Sequence, residues 1–267
     1  VCSDEGGAMR RLSLAAPVIV FARFMSGKGV LSIINQVMRK EKKFLLSRWE
    51  FYALKHRLNE VLHGDPHNGP EGYRVRSLYF DSIDDRDYFE KLYGLETRRK
   101  LRLRCYDPAG DFAMLEMKQK QGDTQKKRSM RLSREDAQRL CRGDFTPLLR
   151  CGGEQKDFAL ECYGMASRLC YRPCTIVEYQ RMAYIGKENR IRITMDHNVV
   201  ATESCMDLFS AGLAMNPVLD PSLVVLEVKY NNFLLSYFQQ LLNAADRPEL
   251  SVSKYYLARQ NAYRTHL

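Results

Sequence analysis

No stretch beyond residue 37 of this 267-residue chain reaches 18 consecutive apolar residues, so no membrane-spanning helix is expected there. No C-x-x-C pair occurs among the eight cysteines, which excludes a zinc knuckle and a thioredoxin-type motif. No G-x-x-x-x-G-K-[ST] loop is present, and Ser26-Gly-Lys-Gly29 is too short to stand in for one. The five histidines, His56, His63, His67, His197 and His266, show no metal-ligand spacing and suggest no Ser-His-Asp or Cys-His pairing. There is one tryptophan, no internal repeat and no low-complexity tract.

What is present is ordinary in amount and unusual in placement. Hydrophobic residues make up 45% and charged residues 28%, which excludes disorder and collagen-like structure and leaves enough chain for a sizeable core. Lys plus Arg number 42 against 32 Asp plus Glu, a net charge of +10. Such a surplus implies an anionic partner: nucleic acid, acidic lipid or a phosphate-rich small molecule. Cys105, Cys162 and Cys170 fall in apolar or periodic segments, so free thiols in a reducing, cytoplasmic compartment are expected. Residues 1–37 read differently from the rest. Arg10-Arg11 precedes an apolar run, Leu12 to Ala22, of signal-peptide size. The favoured expectation is an extension outside the fold, disordered or upstream of the true start, with a secretory signal as the alternative.

From residue 38 onward, short alternating strands are interleaved with amphipathic helices. Strands are expected at Arg39–Leu46, Tyr73–Asp81, Arg98–Tyr106, Phe112–Lys120, Lys126–Leu132, Cys174–Tyr184, Asn189–Asn198 and Leu223–Tyr230. Ser47-x-x-Glu50 is a capping box opening a helix whose face is Trp49, Ala53, Leu54, Leu58, Val61 and Leu62. Further helices are expected at Asp84–Tyr93, Ser133–Arg142, Asp157–Cys170, Leu234–Ala245 and Lys254–Tyr263, with a loop over His63–Gly72. No linker divides residues 38–267, and the order is α+β with an antiparallel bias.

One face of nearly every strand is cationic. Arg74 and Arg76 stand opposite Tyr73, Val75 and Tyr79. Lys100, Arg102 and Arg104 stand opposite Leu101, Leu103 and Cys105. Glu116, Lys118 and Lys120 oppose Ala113, Leu115 and Met117, while Arg190, Arg192 and Thr194 oppose Ile191, Ile193 and Met195. Glu227 and Lys229 oppose Leu226 and Val228, and Arg39, Glu41 and Lys43 share a face of the first strand. Any one strand suits a sheet with a solvated face. As a set they do not, because like charges on neighbouring strands repel unless something neutralises them. An antiparallel β-barrel with its apolar face outward, covered by helices, would place these cations in a lumen suited to a chain of phosphates. The few carboxylates there would be candidates for Mg²⁺ or Mn²⁺.

Nine segments in order extend this reading: Glu41-Lys-Lys43-Phe44, Tyr73–Asp81, Arg99–Tyr106, Leu115-Glu-Met-Lys118, Lys126-Lys-Arg128, Glu178-Tyr-Gln-Arg181, Arg190–Asp196, Leu226-Glu-Val-Lys229 and Ser251–Tyr255. Over about residues 38–263 the chain resembles the VTC (vacuolar transporter chaperone) catalytic domain, the polyphosphate polymerase branch of the triphosphate tunnel metalloenzymes. The resemblance implies a tunnel that takes ATP or polyphosphate with a divalent metal, Mn²⁺ or Mg²⁺. It assigns phosphate contacts to Lys43, Arg74, Arg76, Arg102, Arg104, Lys118, Arg181, Arg192, Lys229 and Lys254, with Lys126, Arg190 and Ser253 as further substrate-binding positions. Glu227 would hold the metal, with Glu116 the second candidate. Arg181 shares parity with Val177 and Tyr179, so a bulge re-aims it or it lies outside the lumen.

The expected activity is transfer of the γ-phosphoryl group of ATP to polyphosphate. Two alternatives remain. One is hydrolysis of tripolyphosphate in the same tunnel, weakened because Arg39-x-Glu41-x-Lys43 stands where tunnel hydrolases usually carry Glu-x-Glu-x-Lys. The other is a non-catalytic polyphosphate-binding module. Nucleic acid is not expected as a partner, because the cations sit in strand-alternating sets. A separately encoded membrane partner, which would put the protein at the inner face of a membrane, is compatible with the resemblance.

Overall fold

In a computed structural model, which describes residues 39–122, 124–234, 236–243, 249 and 251–265, the alternating segments pair into one antiparallel sheet. The extension expected over residues 1–37 lies outside the described residues. The elements run β1 (Arg39–Ser47), α1 (Arg48–Val61), β2 (His63–Gly64), β3 (Tyr73–Asp81), α2 (Arg86–Leu92), β4 (Thr97–Cys105) and β5 (Phe112–Gln121). They continue with β6 (Thr124–Ser133), α3 (Arg134–Cys141), α4 (Lys156–Arg168), β7 (Arg172–Ile185), β8 (Arg192–Thr202), β9 (Asn216–Pro217), β10 (Leu223–Asn231), α5 (Ser236–Asn243) and α6 (Lys254–Thr265). The capping box forms as the sequence predicts: the Glu50 amide donates to Ser47 Oγ at 3.3 Å, and the Ser47 amide donates back to Glu50 at 2.6 Å.

The sheet order is β1-β10-β8-β7-β3-β4-β5-β6, with β2 paired to β7 and β9 to β8. At roughly 4.8 Å per strand, a flat sheet would separate β1 from β5 by roughly 29 Å. Yet Lys118 Nζ of β5 lies 3.3 Å from Glu41 of β1. The sheet is therefore rolled into a trough whose walls meet through side chains. Between β6 and β1 no backbone pairing closes the barrel among the described residues.

Helices cover the convex face, as expected. Under α3 and α4 lie Leu101, Leu103, Leu115, Met117 and Met130. Under α1 and α5 lie Ile193, Met195, Leu226 and Val228, with Phe51, Leu54 and Leu58 as the buried face of α1. Trp49, expected on that face, is instead 80% exposed. Phe51 takes its place, because the stripe that meets the sheet runs through positions 51, 54 and 58 at helical spacing.

One part of the concave face is apolar. Val75 and Tyr79 of β3 and Val177 and Tyr179 of β7 point inward and are capped by Tyr255 and Ala258 of α6. The C-terminal helix thus fills one end of the trough and leaves the remainder charged.

Candidate functional site

Antiparallel register builds the site in rows. Lys43 of β1 stands opposite Glu227 of β10, which stands opposite Thr194 of β8. The next row is Glu41, Lys229 and Arg192. Opposite charges therefore face each other between β1 and β10, the arrangement that stabilises neighbouring pairs, while Lys229 and Arg192 are like charges side by side. Lys43 Nζ lies 2.7 Å from Glu41 and 3.5 Å from Glu227, and Lys229 touches both carboxylates. Burial pushes the Glu227 carboxyl up, but Lys229 and Lys43 outweigh it and hold the group well below the carboxylate range. Burial also raises Glu41, as does Glu227, and Lys43, Lys118 and Lys229 bring it down on balance.

The facing wall repeats the pattern. Arg102 of β4 is cross-strand from Glu116 of β5 and donates to it through Nε at 2.8 Å. Lys127 of β6 reaches the other Glu116 oxygen at 2.6 Å, and Arg104 approaches at 3.6 Å. Burial opposes ionisation of Glu116, yet these cations lower it to about 2.

At the capped end, Asp196 of β8 is fully buried. Arg181 of β7 grips it with two hydrogen bonds of 2.7 and 2.8 Å, and Lys254 Nζ adds a third at 2.6 Å. Asp196 is held at about 2, its burial overridden by Arg181 and Lys254. Lys254 is delivered by the first turn of α6, whose next residue, Tyr255, donates its phenol to Asp81 at the end of β3. Asp81 also accepts the amides of Asp87 and Tyr88, tying α2 and α6 to the same anchor. Next to the trio of Asp196, Arg181 and Lys254, Gly72 lies with φ +93° so close to β7 that a Cβ there would meet the Arg181 carbonyl at 2.3 Å. That approach seats the 63–72 loop, where Asp65 accepts from Arg192 at 3.2 Å.

The concave face thus brings together Lys43, Arg102, Arg104, Lys118, Arg181, Arg192, Lys229, Ser253, Lys254, Glu116 and Glu227. For Arg181 the parity with Val177 and Tyr179 holds, because those residues also face inward beneath α6. Four expected positions fall elsewhere. Arg74 and Arg76 sit on the convex face of β3, because the apolar side of that strand is the one turned toward α6. Arg76 donates to Glu178 at 2.6 Å and to the Leu208 and Ser210 carbonyls, and is 3% exposed. Lys126 is exposed on the convex side of β6, one residue out of phase with Lys127. Arg190 is exposed in a turn (Glu188–Arg190) before β8 begins.

The sequence reading passed over Lys127 and Asp196, and set Glu41 and Lys100 on the right face without assigning them to the site. Lys127 was recoverable from the tight hairpin, which puts it opposite Lys118. Asp196 was recoverable from its parity with Arg192 and Thr194.

This division predicts opposite phenotypes for two arginines. Arg102→Ala should weaken tripolyphosphate binding by about 1.5–3 kcal/mol, the range for a charged hydrogen bond, with little change in melting temperature. Arg76→Ala should leave that affinity near wild type but destabilise the fold by about 2–3 kcal/mol, since it leaves the Leu208 and Ser210 carbonyls without their donor and the half-buried Glu178 with Arg74 alone, 3.6 Å away. Calorimetric titration and thermal melts on both variants separate the two.

Among the described residues no group of three or more His, Cys, Asp or Glu could hold a metal ion. A divalent ion is often held by only one or two carboxylates plus substrate phosphates, and that lesser requirement is met here. Glu227 and Glu41 are both ionised and share Lys43 and Lys229. Cross-strand from Glu227, Thr194 Oγ1 is a buried hydroxyl with no hydrogen-bond partner. Glu116 is engaged on the facing wall by Arg102, Arg104 and Lys127, and the carboxylate that shares Lys43 and Lys229 with Glu227 is Glu41.

Acid should loosen this network. A carboxylate whose folded pKa lies below its unfolded one stabilises at neutral pH, and loses that contribution as pH falls through the folded value. For Asp196, lowered from 3.8 to about 2, this amounts to about 2.5 kcal/mol, lost between about pH 5 and pH 2. Burial raises Asp81 and Asp87, so each works the other way, a liability at neutral pH that acid relieves. Thermal melts from pH 7 to pH 3 should still fall most steeply below about pH 4, and Asp196→Asn should flatten that slope.

Fold and site together define a trough of rolled antiparallel sheet, lined by lysine, arginine and a few carboxylates within and helix-covered without. The chain belongs to the VTC domain family, whose model matches residues 38–263. No curated protein sequence matches it. Among solved structures it is similar to a Bacillus halodurans protein provisionally assigned as an adenylate cyclase, at 14% identity and a TM-score of 0.46, covering 81% of this chain and 95% of that one. A Vibrio parahaemolyticus protein with the same provisional assignment gives 12% identity and a TM-score of 0.41, covering 82% and 97%. A Pyrococcus horikoshii protein gives 10% and 0.41, covering 83% and 99%. At such scores these likenesses add nothing to the assignment, which rests on the family match.

Proposed function

We propose that the chain is a divalent-cation-dependent phosphotransferase that lengthens polyphosphate with the γ-phosphoryl group of ATP. The observation that carries this is the two facing walls of lysine and arginine, closed over one another by the Lys118–Glu41 contact. Phosphate oxygens entering the trough would take over donors now held by Glu41, Glu116 and Glu227. Arg102 and Arg104 would fix phosphate geometry through their planar forks, and Lys43, Lys118, Lys229 and Lys254 would act as point charges. When bound, a divalent cation supplies charge neutralisation between triphosphate oxygens, with Glu227, Glu41 and Thr194 Oγ1 as its protein partners.

The acceptor is the terminal oxyanion of polyphosphate, so no side-chain nucleophile is needed. Its oxygen forms the new bond to the γ-phosphorus, and the bond to the β-bridging oxygen breaks, leaving ADP with the electron pair. Catalysis is then positioning plus charge neutralisation. Inward placement of the cations disfavours nucleic acid as the partner. No helix among the described residues is long and apolar enough to cross a membrane. The test is to incubate the protein with ATP and Mn²⁺ and resolve products on a polyphosphate gel. A polyphosphate ladder with matching ADP is expected. Orthophosphate alone would replace this reading with hydrolysis, and tight tripolyphosphate binding without turnover would replace it with a binding module.

A further inference from the structure

Most cations of the charged walls are paired; among the described residues Lys100 of β4 is not, nor are Arg98 and Lys120, which share its face in the next row. The cations of β8 and β10, and those around Glu116, each touch a carboxylate. Lys100 of β4 faces the same trough, cross-strand from Lys118. Among the described residues no carboxylate lies within ion-pair reach of it. Its Nζ donates to Ser253 Oγ and stands 5.8 Å from the centre of the Tyr255 ring. The charged groups bearing on it from the packed elements are Lys43 of β1, Lys118 of β5, and Lys91 and Asp87 of α2. Three of the four are cations, and burial pushes Asp87 toward its neutral form.

We propose that Lys100, with Ser253, is the seat for one phosphate group of an inorganic polyphosphate, and that seating is coupled to uptake of one proton by Lys100 Nζ. The inference rests on the trough being a polyphosphate site and adds a residue and a proton to it. A lysine among like charges and without a counter-ion sheds its proton readily. Burial first, then Lys43, Lys91 and Lys118, bring Lys100 down to about 7. An arriving phosphate oxyanion supplies the missing counter-charge and restores the ammonium form. The proton comes from solvent, and no covalent bond to phosphorus forms. Ser253 Oγ also accepts the Tyr256 amide at 3.3 Å, which leaves its O–H proton to donate to the same phosphate.

The test is titration calorimetry of the protein with sodium tripolyphosphate, without metal, in buffers of different ionisation enthalpy at pH 6 and pH 8. For wild type, most of a proton should be taken up at pH 8 and much less at pH 6, beyond the ligand's own ionisation. Lys100→Arg keeps a charge that does not titrate in this range, and it gives the ligand's ionisation alone. Lys100→Met should bind at least tenfold more weakly at pH 6 and also lack the excess uptake. Equal uptake by wild type and Lys100→Arg overturns the proposal while leaving the polyphosphate site standing. Failure of wild type to bind tripolyphosphate at either pH overturns both. Should Lys100→Met fail to fold, the comparison of wild type with Lys100→Arg decides alone.

Discussion

Glu227→Ala is expected to abolish metal-dependent turnover, a loss of at least about 100-fold, while the protein stays folded. The fold survives because Lys43 and Lys229 each keep Glu41 as a partner, at 2.7 and 3.6 Å. No buried charge is stranded. Activity fails because the carboxylate cross-strand from Thr194 is gone, and with it part of the oxygen set that a divalent ion would share with the substrate. Metal-free tripolyphosphate binding should hold or tighten, since two ammonium groups lose a competing counter-ion. Initial rates against Mn²⁺ concentration, with circular dichroism on the same sample, check both halves. Normal turnover would remove Glu227 from the metal site.

Asp196→Asn is expected to carry the largest stability cost. Its carboxylate has no exposed surface and holds two cations. The amide keeps the shape and deletes the charge, leaving Arg181 and Lys254 side by side around a neutral group. Stranding buried charge in this way costs about 3–5 kcal/mol. In a domain of this size that is roughly 6–20 °C of melting temperature. Adding Arg181→Met should recover part of the loss by removing one unpaired charge. Saturating tripolyphosphate should recover part of it too, by returning anionic charge to the trough. A melting temperature within about 2 °C of wild type would show that the trio is not a structural anchor.

Much of the fold was legible because period-two alternation and turn residues are local properties. Tyr73–Asp81 and the capping box at Ser47 were read to the residue. Alternation also names two faces of each strand, but it does not say which one is concave. On β4, β5, β8 and β10 the apolar face meets the outer helices, so the charged face turns inward. On β3 the apolar face meets α6 inside the trough, and Arg74 and Arg76 turn outward. That inversion depends on where a helix more than 170 residues later in the chain comes to rest, which no local pattern encodes. The exposure of Trp49 has a similar origin, since several helical faces offer apolar residues and the sheet selects one. Counter-ion pairing was also out of reach. Glu41 joins Glu227, and Glu116 joins the arginines of β4, only once register has been fixed.

The most direct test of the central claim is a crystal structure of the protein with tripolyphosphate and Mn²⁺. The account predicts phosphate density within the trough, in contact with Lys43, Arg102, Lys118 and Lys229, and an Mn²⁺ ion on Glu227 and Glu41. Phosphate bound on the convex face at Arg74, or an Mn²⁺ ion held by Glu116 with the Glu41–Glu227 pair empty, would contradict it.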